Sequence, residues 1–379
     1  MAGPSRDPDE EFAARRARRR RWLRGLASVA LGWALLVGVL PRLADLAQVW
    51  DAVKGMTAAA IVTLIVVSAW NILTYQFEMM AALPGLSWRD AFLTGQMATA
   101  VTNTVPAGAL LGIGVIYAVL ASFGHRTADI ARAAVLTGWW TVLVKFALPV
   151  AALLLLAIQG ASVNQALLSA AIVGLVLLVA AIAVLVATAS SDHLARLSGR
   201  IAQRAVNLTR RPFGATLVHD WEDRAVEFRR SSAGLLRRRW ALLSLASTVS
   251  QISLFWVLLA SLRATGVGPE QVTWQEALGA FAFVTLATAL PLTPGGFGLV
   301  EVGLAAALVF AGGDAPGVEP GVVAAVLVYR ALTYLLQVGL GAGSYLVWRW
   351  EMRRHHHRET EGAAGGTPAA PDSDDQTIR

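Results

Sequence analysis

Three ionisable side chains stand where a bilayer would penalise them. Glu301 ends the polar part of "ALPLTPGGFGLVEVGL" (residues 289–304), Arg330 lies about ten residues into the last apolar run, and Lys145 falls near the middle of another. A charge at the centre of a membrane helix costs about 2.5–3.5 kcal/mol or more, so each should face the bundle interior and find a partner. The chemistry this suggests is anion recognition. Arg330 can bind an anionic headgroup, with Glu301 pairing to Arg330 or Lys145 when the site is empty. The alternative is a permanent Glu301–Arg330 ion pair that only holds two helices together. Lys145 is long enough to snorkel instead.

The backbone around Glu301 adds donors to this chemistry. In "LTPGGFG", Thr293 can cap a following helix and Pro294 suits its first turn. Gly295, Gly296 and Gly298 allow unusual dihedrals and close approach. A helix starting there would present free N–H groups and a positive dipole end, a ready site for phosphate or carboxylate. A second interruption, "TNTVPAGALLGIG" (residues 102–114), supplies Asn103, Pro106, Gly108, Gly112 and Gly114. Asn103 can bond the carbonyls freed by that break, or simply bond a neighbouring helix. Gly and Pro also serve ordinary kinks and tight packing in membrane helices.

These breaks interrupt two apolar regions, 90–123 and 275–312. Each half is about 15–17 residues, roughly 25 Å at 1.5 Å per residue. That falls short of the ~30 Å hydrocarbon thickness. Each region therefore reads as a helix that enters, breaks and returns. Simple spans are expected over 22–40, 56–78, 131–158, 166–189, 240–262 and 320–348. The predicted fold is all-α: a polytopic membrane bundle with two broken, re-entrant helix pairs arranged as an inverted repeat. "VPAGALLGIG" stands against "LPLTPGGFG" and "AAVLTGWW" against "AAVLVYRA", which pairs Pro106 with Pro291 and Trp139 with Arg330. Paired Gly/Pro interruptions in two inverted halves point to a transporter's substrate site.

Composition agrees with a membrane setting. Of 379 residues, 56% are hydrophobic and 15% charged, against about 25% charged in soluble domains. There are no cysteines, which excludes disulfides, thiolate metal sites and cysteine nucleophiles. The +7 charge is carried almost wholly by arginine, which suggests a GC-rich bacterial genome. Arginines crowd the arm over residues 1–21, the 191–239 segment (eleven of them) and the stretch after Trp350. The bias reads as positive-inside flanks, not as a nucleic-acid surface. It places both termini in the cytoplasm of a multi-pass protein of the bacterial plasma membrane. The domain expectation is a basic arm over 1–21, a membrane domain over 22–350 with a cytoplasmic loop at 191–239, and a disordered tail over 351–379. His355, His356 and His357 read as interfacial basic residues and not as a metal site.

The stretch "LPLTPGGFGLVEVGLAAALVFAG", followed by "AAVLVYRALTYLLQVGLG", resembles the lysylphosphatidylglycerol synthase transmembrane-region family, a flippase-like family. The match runs through Pro291, Thr293, Pro294, Gly295, Gly296, Gly298, Glu301, Tyr329 and Arg330. Members often carry a charged residue after the first break and an Arg in the next span; here those places hold Tyr117 and Trp139. The resemblance implies movement or holding of a lipid between leaflets. It implies no aminoacyl transfer, because only 29 polar residues follow Trp350.

Three functions are therefore weighed. The first is a flippase-like protein for an anionic or polyprenyl-linked lipid. Without a G-x-x-x-x-G-K-[ST] motif, its movement would be downhill, ion-coupled or driven by a partner. The second is a scaffold whose arginine-rich loop docks a cytoplasmic or membrane protein. The third is an enzyme acting on lipid-linked substrates, which needs a carboxylate cluster or acid–base pair not evident here. No cofactor is expected.

Overall fold

A computed structural model describes residues 46–105, 108–158, 165–210, 221–289, 294–312 and 318–364. The basic arm, the expected span at 22–40, Pro106 and Thr293 lie outside the described residues. Helix α1 is Leu46–Lys54 and α2 is Ala58–Ala82; then come α3 (Trp88–Thr104) and α4 (Gly108–Ser122). Helices α5 (Thr127–Ile158), α6 (Gln165–Ser190), α7 (Asp192–Arg210) and α8 (Trp221–Ala264) follow. The last group is α9 (Trp274–Ala287), α10 (Leu299–Gly312), α11 (Val318–Arg330) and α12 (Leu336–Ala364). There is no strand among the described residues. Among the described residues, five stretches are long and apolar enough to cross a membrane: four lie on α2, α5, α6 and α8, and the fifth runs through α11 and α12.

Both interrupted regions are helical hairpins. α3 packs on α4, and α9 on α10. Each pair begins with a side-chain cap. Ser87 Oγ accepts the Asp90 N–H at 3.1 Å. Thr273 Oγ1 accepts the Glu276 N–H at 3.3 Å while Glu276 Oε2 accepts the Thr273 N–H at 2.9 Å, a reciprocal capping box. The first break is narrower than the 102–114 expectation, since α4 restarts at Gly108. Gly112 and Gly114 are thus helical. A β-carbon on Gly112 would overlap Thr102 Oγ1, so its bareness lets α4 lie against α3, whereas Gly114 meets nothing within 4 Å.

The apolar interior has two main cores and a small third cluster of Leu93, Met97 and Val119. One core gathers Ala81, Ala82, Leu120, Ile130, Leu136, Trp140 and Leu243. The other gathers Leu148 and Leu156 of α5, Phe255 and Leu258 of α8, and residues of α9, α10 and α11. Helices α2, α5 and α8 run past both. Between the cores these three helices carry polar side chains. Asn71 Nδ2 donates to Ser253 Oγ at 2.7 Å, and Thr74 and Ser253 hydroxyls lie 3.0 Å apart. Glu78 Oε1 accepts from Thr141 Oγ1 at 2.8 Å and from Ser247 Oγ at 2.7 Å. The outer surface is apolar: Ile172, Val176 and Val179 of α6 are exposed, as suits a chain whose solvent is lipid.

The 191–239 segment, expected as a partly helical connection, holds α7 and the start of α8. α7 packs back on the start of α8, and Asp192 receives Arg230 Nη2 at 3.1 Å and an ion pair from Arg229. These arginines, Arg230 foremost, hold the Asp192 carboxyl below its ordinary value. Of the 351–379 tail, residues 351–364 are described. α12 continues through residue 351 to Ala364, because no Gly or Pro occurs between Gly343 and Gly362. The last expected span is interrupted as well, by a π-helical turn over Ala331–Leu335.

Helix α12 lies along α3, and glycine permits the contact. A β-carbon on Gly341 would overlap Ala100 Cβ and approach Gln96 O to 2.5 Å, while one on Gly343 meets nothing within 4 Å. Gly341→Ala is expected to lower stability by about 1–3 kcal/mol. Gly343→Ala should be neutral or gain up to about 1 kcal/mol from helix propensity. Thermal unfolding in detergent compares them; equal behaviour would mean that α3 and α12 do not meet there.

Candidate functional site at the junction of the two breaks

The second break is built by glycines. After α9 ends, Pro294–Gly296 makes one 3-10 turn, and Gly295, Gly296 and Gly298 have φ of 57°, 70° and 83°. These are left-handed values that cost a side-chain-bearing residue about 1–2 kcal/mol each. The positive angles stop the helix from starting at Pro294. α10 starts instead at Leu299, so Pro294 does not occupy its first turn.

This shift gives Glu301 a local task that the sequence reading lacked. It is the third residue of α10, and its Oε2 accepts the Gly298 N–H at 2.7 Å. An acid there reaches back to the residue before the helix and complements the positive end of the dipole. The expected free anion site at this helix start is therefore filled by the chain's own carboxylate. The other oxygen, Oε1, accepts from Arg330 Nε at 2.6 Å. Glu301 and Arg330 side chains are 3% and 13% exposed, so the pair is almost dry. Lys145 is not Glu301's partner.

Arg330 spreads over three groups. Its Nη2 donates to Gly295 O at 3.2 Å, and its Cζ lies 4.6 Å from the centre of the Tyr334 ring, a cation–π distance. Tyr334 stands in the π-helical turn and donates its hydroxyl to Asn103 O at 2.6 Å. Asn103 also approaches from its side chain: a β-carbon on Gly295 would lie 2.7 Å from Asn103 Oδ1 and 2.7 Å from Tyr334 Cε2. The first break thus touches the second directly. Phe297 stacks obliquely on Tyr334, with centroids 6.3 Å apart.

Lys145 reaches the same region from α5. Its Nζ donates to Thr288 Oγ1 at 3.3 Å, and Thr288 Cγ2 lies 3.7 Å from where a Gly296 β-carbon would be. Tyr329 is 4% exposed and belongs to the second apolar core. Gly108 lies tight against Thr102 O, and Gly114 stands apart. Asn103, Gly295, Gly296, Gly298, Glu301, Arg330 and Lys145 are therefore brought together. Gly112 and Gly114 are not.

A family model for the lysylphosphatidylglycerol synthase transmembrane region matches residues 21–341, most of the chain. The chain belongs to this family. The lysylphosphatidylglycerol synthase transmembrane-region match takes in both breaks, Glu301 and Arg330. No curated protein matched the sequence.

Sequence reading missed Glu78, Thr288 and Tyr334. A signal for Glu78 was present: Asn71, Thr74 and Glu78 fall at i, i+3 and i+7, one face of α2. A second missed signal is the likeness of "SWRDA" (87–91) to "TWQEA" (273–277). Both are caps that open a broken hairpin.

Removing one partner of a buried ion pair strands the other, at a cost of about 3–5 kcal/mol. Glu301→Ala and Arg330→Ala should each lose that much, and Glu301→Leu/Arg330→Met should lose less than either. Unfolding of the three variants in detergent checks this; an additive double variant would mean that the two residues are not coupled.

Proposed function

We propose that this protein binds an anionic or polyprenyl-linked lipid by its headgroup at the junction of the two breaks and carries it between leaflets. The observation that carries the reading is the Arg330 guanidinium, held inside a membrane bundle by a carboxylate that sits at a helix start. That is an anion-binding position filled by an internal anion. A headgroup phosphate that displaces Glu301 would inherit Arg330 and the Gly298 N–H. Irregular backbone at membrane depth is tolerated where it is buried in protein or lines a cavity.

The two hairpins support alternating access by inverted, re-entrant halves. They open with like caps, and each is followed by a helix that carries a cation, Lys145 on α5 and Arg330 on α11. Trp139, aligned with Arg330 in the sequence, packs on the first core. The arginine bias supports cytoplasmic termini in a bacterial plasma membrane. The protein acts as a carrier, not an enzyme.

One observation favours the scaffold reading. Both Glu301 oxygens are engaged, as a purely structural pair requires. Mass spectrometry of co-purifying lipids separates the two. The carrier reading expects one anionic lipid class enriched with the wild type and reduced at least about tenfold with Arg330→Ala, the loss of roughly 1.4 kcal/mol of binding. Bulk lipid in equal amounts with both would favour the scaffold.

A further inference from the structure

The carrier reading leaves unused the polar face between the two apolar cores. We infer that Glu78 is a proton-binding site and that Lys145 carries its charge state to the second break. Glu78 is 6% exposed. Its described partners are neutral hydroxyls, Thr141 on α5 and Ser247 on α8, and both donate to Oε1. Among the described residues Oε2 receives no hydrogen bond, and it is the oxygen free to take a proton. Ionised, a carboxylate so buried needs a cation or stays costly.

The charged groups around it are few. On α5, which packs against α2, Lys145 is one turn beyond Thr141 and within electrostatic reach of Glu78. On α8 the nearest charged residue of the described segment is Arg239, eight positions before Ser247, about 12 Å along the helix. On α3 the charged residues are Arg89 and Asp90, at its start. On α2 itself Tyr75 precedes Glu78 by three positions. Lys145 is therefore the cation that Glu78 can call on, and in this structure it is turned to Thr288 at the start of the second break. Protonated Glu78 leaves Lys145 on Thr288. When the proton passes to water, the carboxylate draws the ammonium away and the break loses that tie. This supplies ion coupling, one of the energy sources open to the carrier reading, and it rests on that reading only for its purpose.

The test needs no lipid. Infrared spectra of the wild type in a carbonyl-free detergent, recorded as pH rises, should show a protonated-carboxyl C=O band that disappears on titration and is absent from Glu78→Gln. Lys145→Gln, which keeps the carboxyl, should shift the loss to higher pH by a unit or more. Because the chain has no cysteine, Ala289→Cys gives a clean second readout. Its labelling rate by a water-soluble maleimide should change severalfold across the same pH range, and stay constant when Glu78→Gln is added. A band unaltered by Glu78→Gln and by Lys145→Gln would overturn the proton site. A Glu78 band with pH-independent labelling would overturn the link to the break. Neither result would touch the lipid reading.

Discussion

A backbone polar group inside a bilayer has no water to turn to and must be answered by another part of the chain, and a buried polar side chain is costly unless it too finds a partner. That constraint organises this bundle. Asn71, Thr74 and Glu78 on α2 meet Ser247, Ser250 and Ser253 on α8 and Thr141 on α5. The result is a polar seam between two apolar cores. Helices α2, α5 and α8 are held in register by hydroxyl and amide contacts at the level where packing changes from one core to the other. Interhelical hydrogen bonds in membranes average only about 0.6 kcal/mol, so such a seam fixes alignment more than it adds stability.

The two breaks meet beside this seam, and the contacts cross. Tyr334, after the second hairpin, bonds the first break at Asn103. Lys145, after the first hairpin, bonds the second break at Thr288. Each hairpin is thus tied to the helix that follows the other. Glu301 sits where these ties converge. It closes the start of α10 and neutralises Arg330 in one carboxylate, so displacing it would change a helix end and an ion pair together.

Much of this was legible in the sequence. The two hairpins and their approximate breaks follow from apolar run lengths, and the rarity of charges narrowed Glu301's partner to Arg330 or Lys145, of which the structure gives Arg330. The start of α10 was misplaced because Thr293-Pro294 is a good helix opening; three glycines at positive φ overrode it. Gly112 and Gly114 were assigned to the first break because glycine marks both interruptions and close helix packing. Only the contact with Thr102 separates these uses. Glu78 escaped notice because it falls at the end of the expected span, where a charge reads as an interfacial residue. Its partners lie on α5 and α8, and no local pattern names them. The π-helical turn that carries Tyr334 left no mark in residue type.

In the carrier reading, Glu301 occupies the place of a ligand anion. That claim is tested most directly by titrating detergent-purified protein with phosphatidylglycerol and measuring affinity by native mass spectrometry. If Glu301 is a stand-in, Glu301→Gln removes the competitor while leaving Arg330, and phosphatidylglycerol should bind more tightly than to the wild type. If Glu301→Gln instead weakens binding, or leaves it unchanged, the carboxylate is a fixed structural partner and the claim fails.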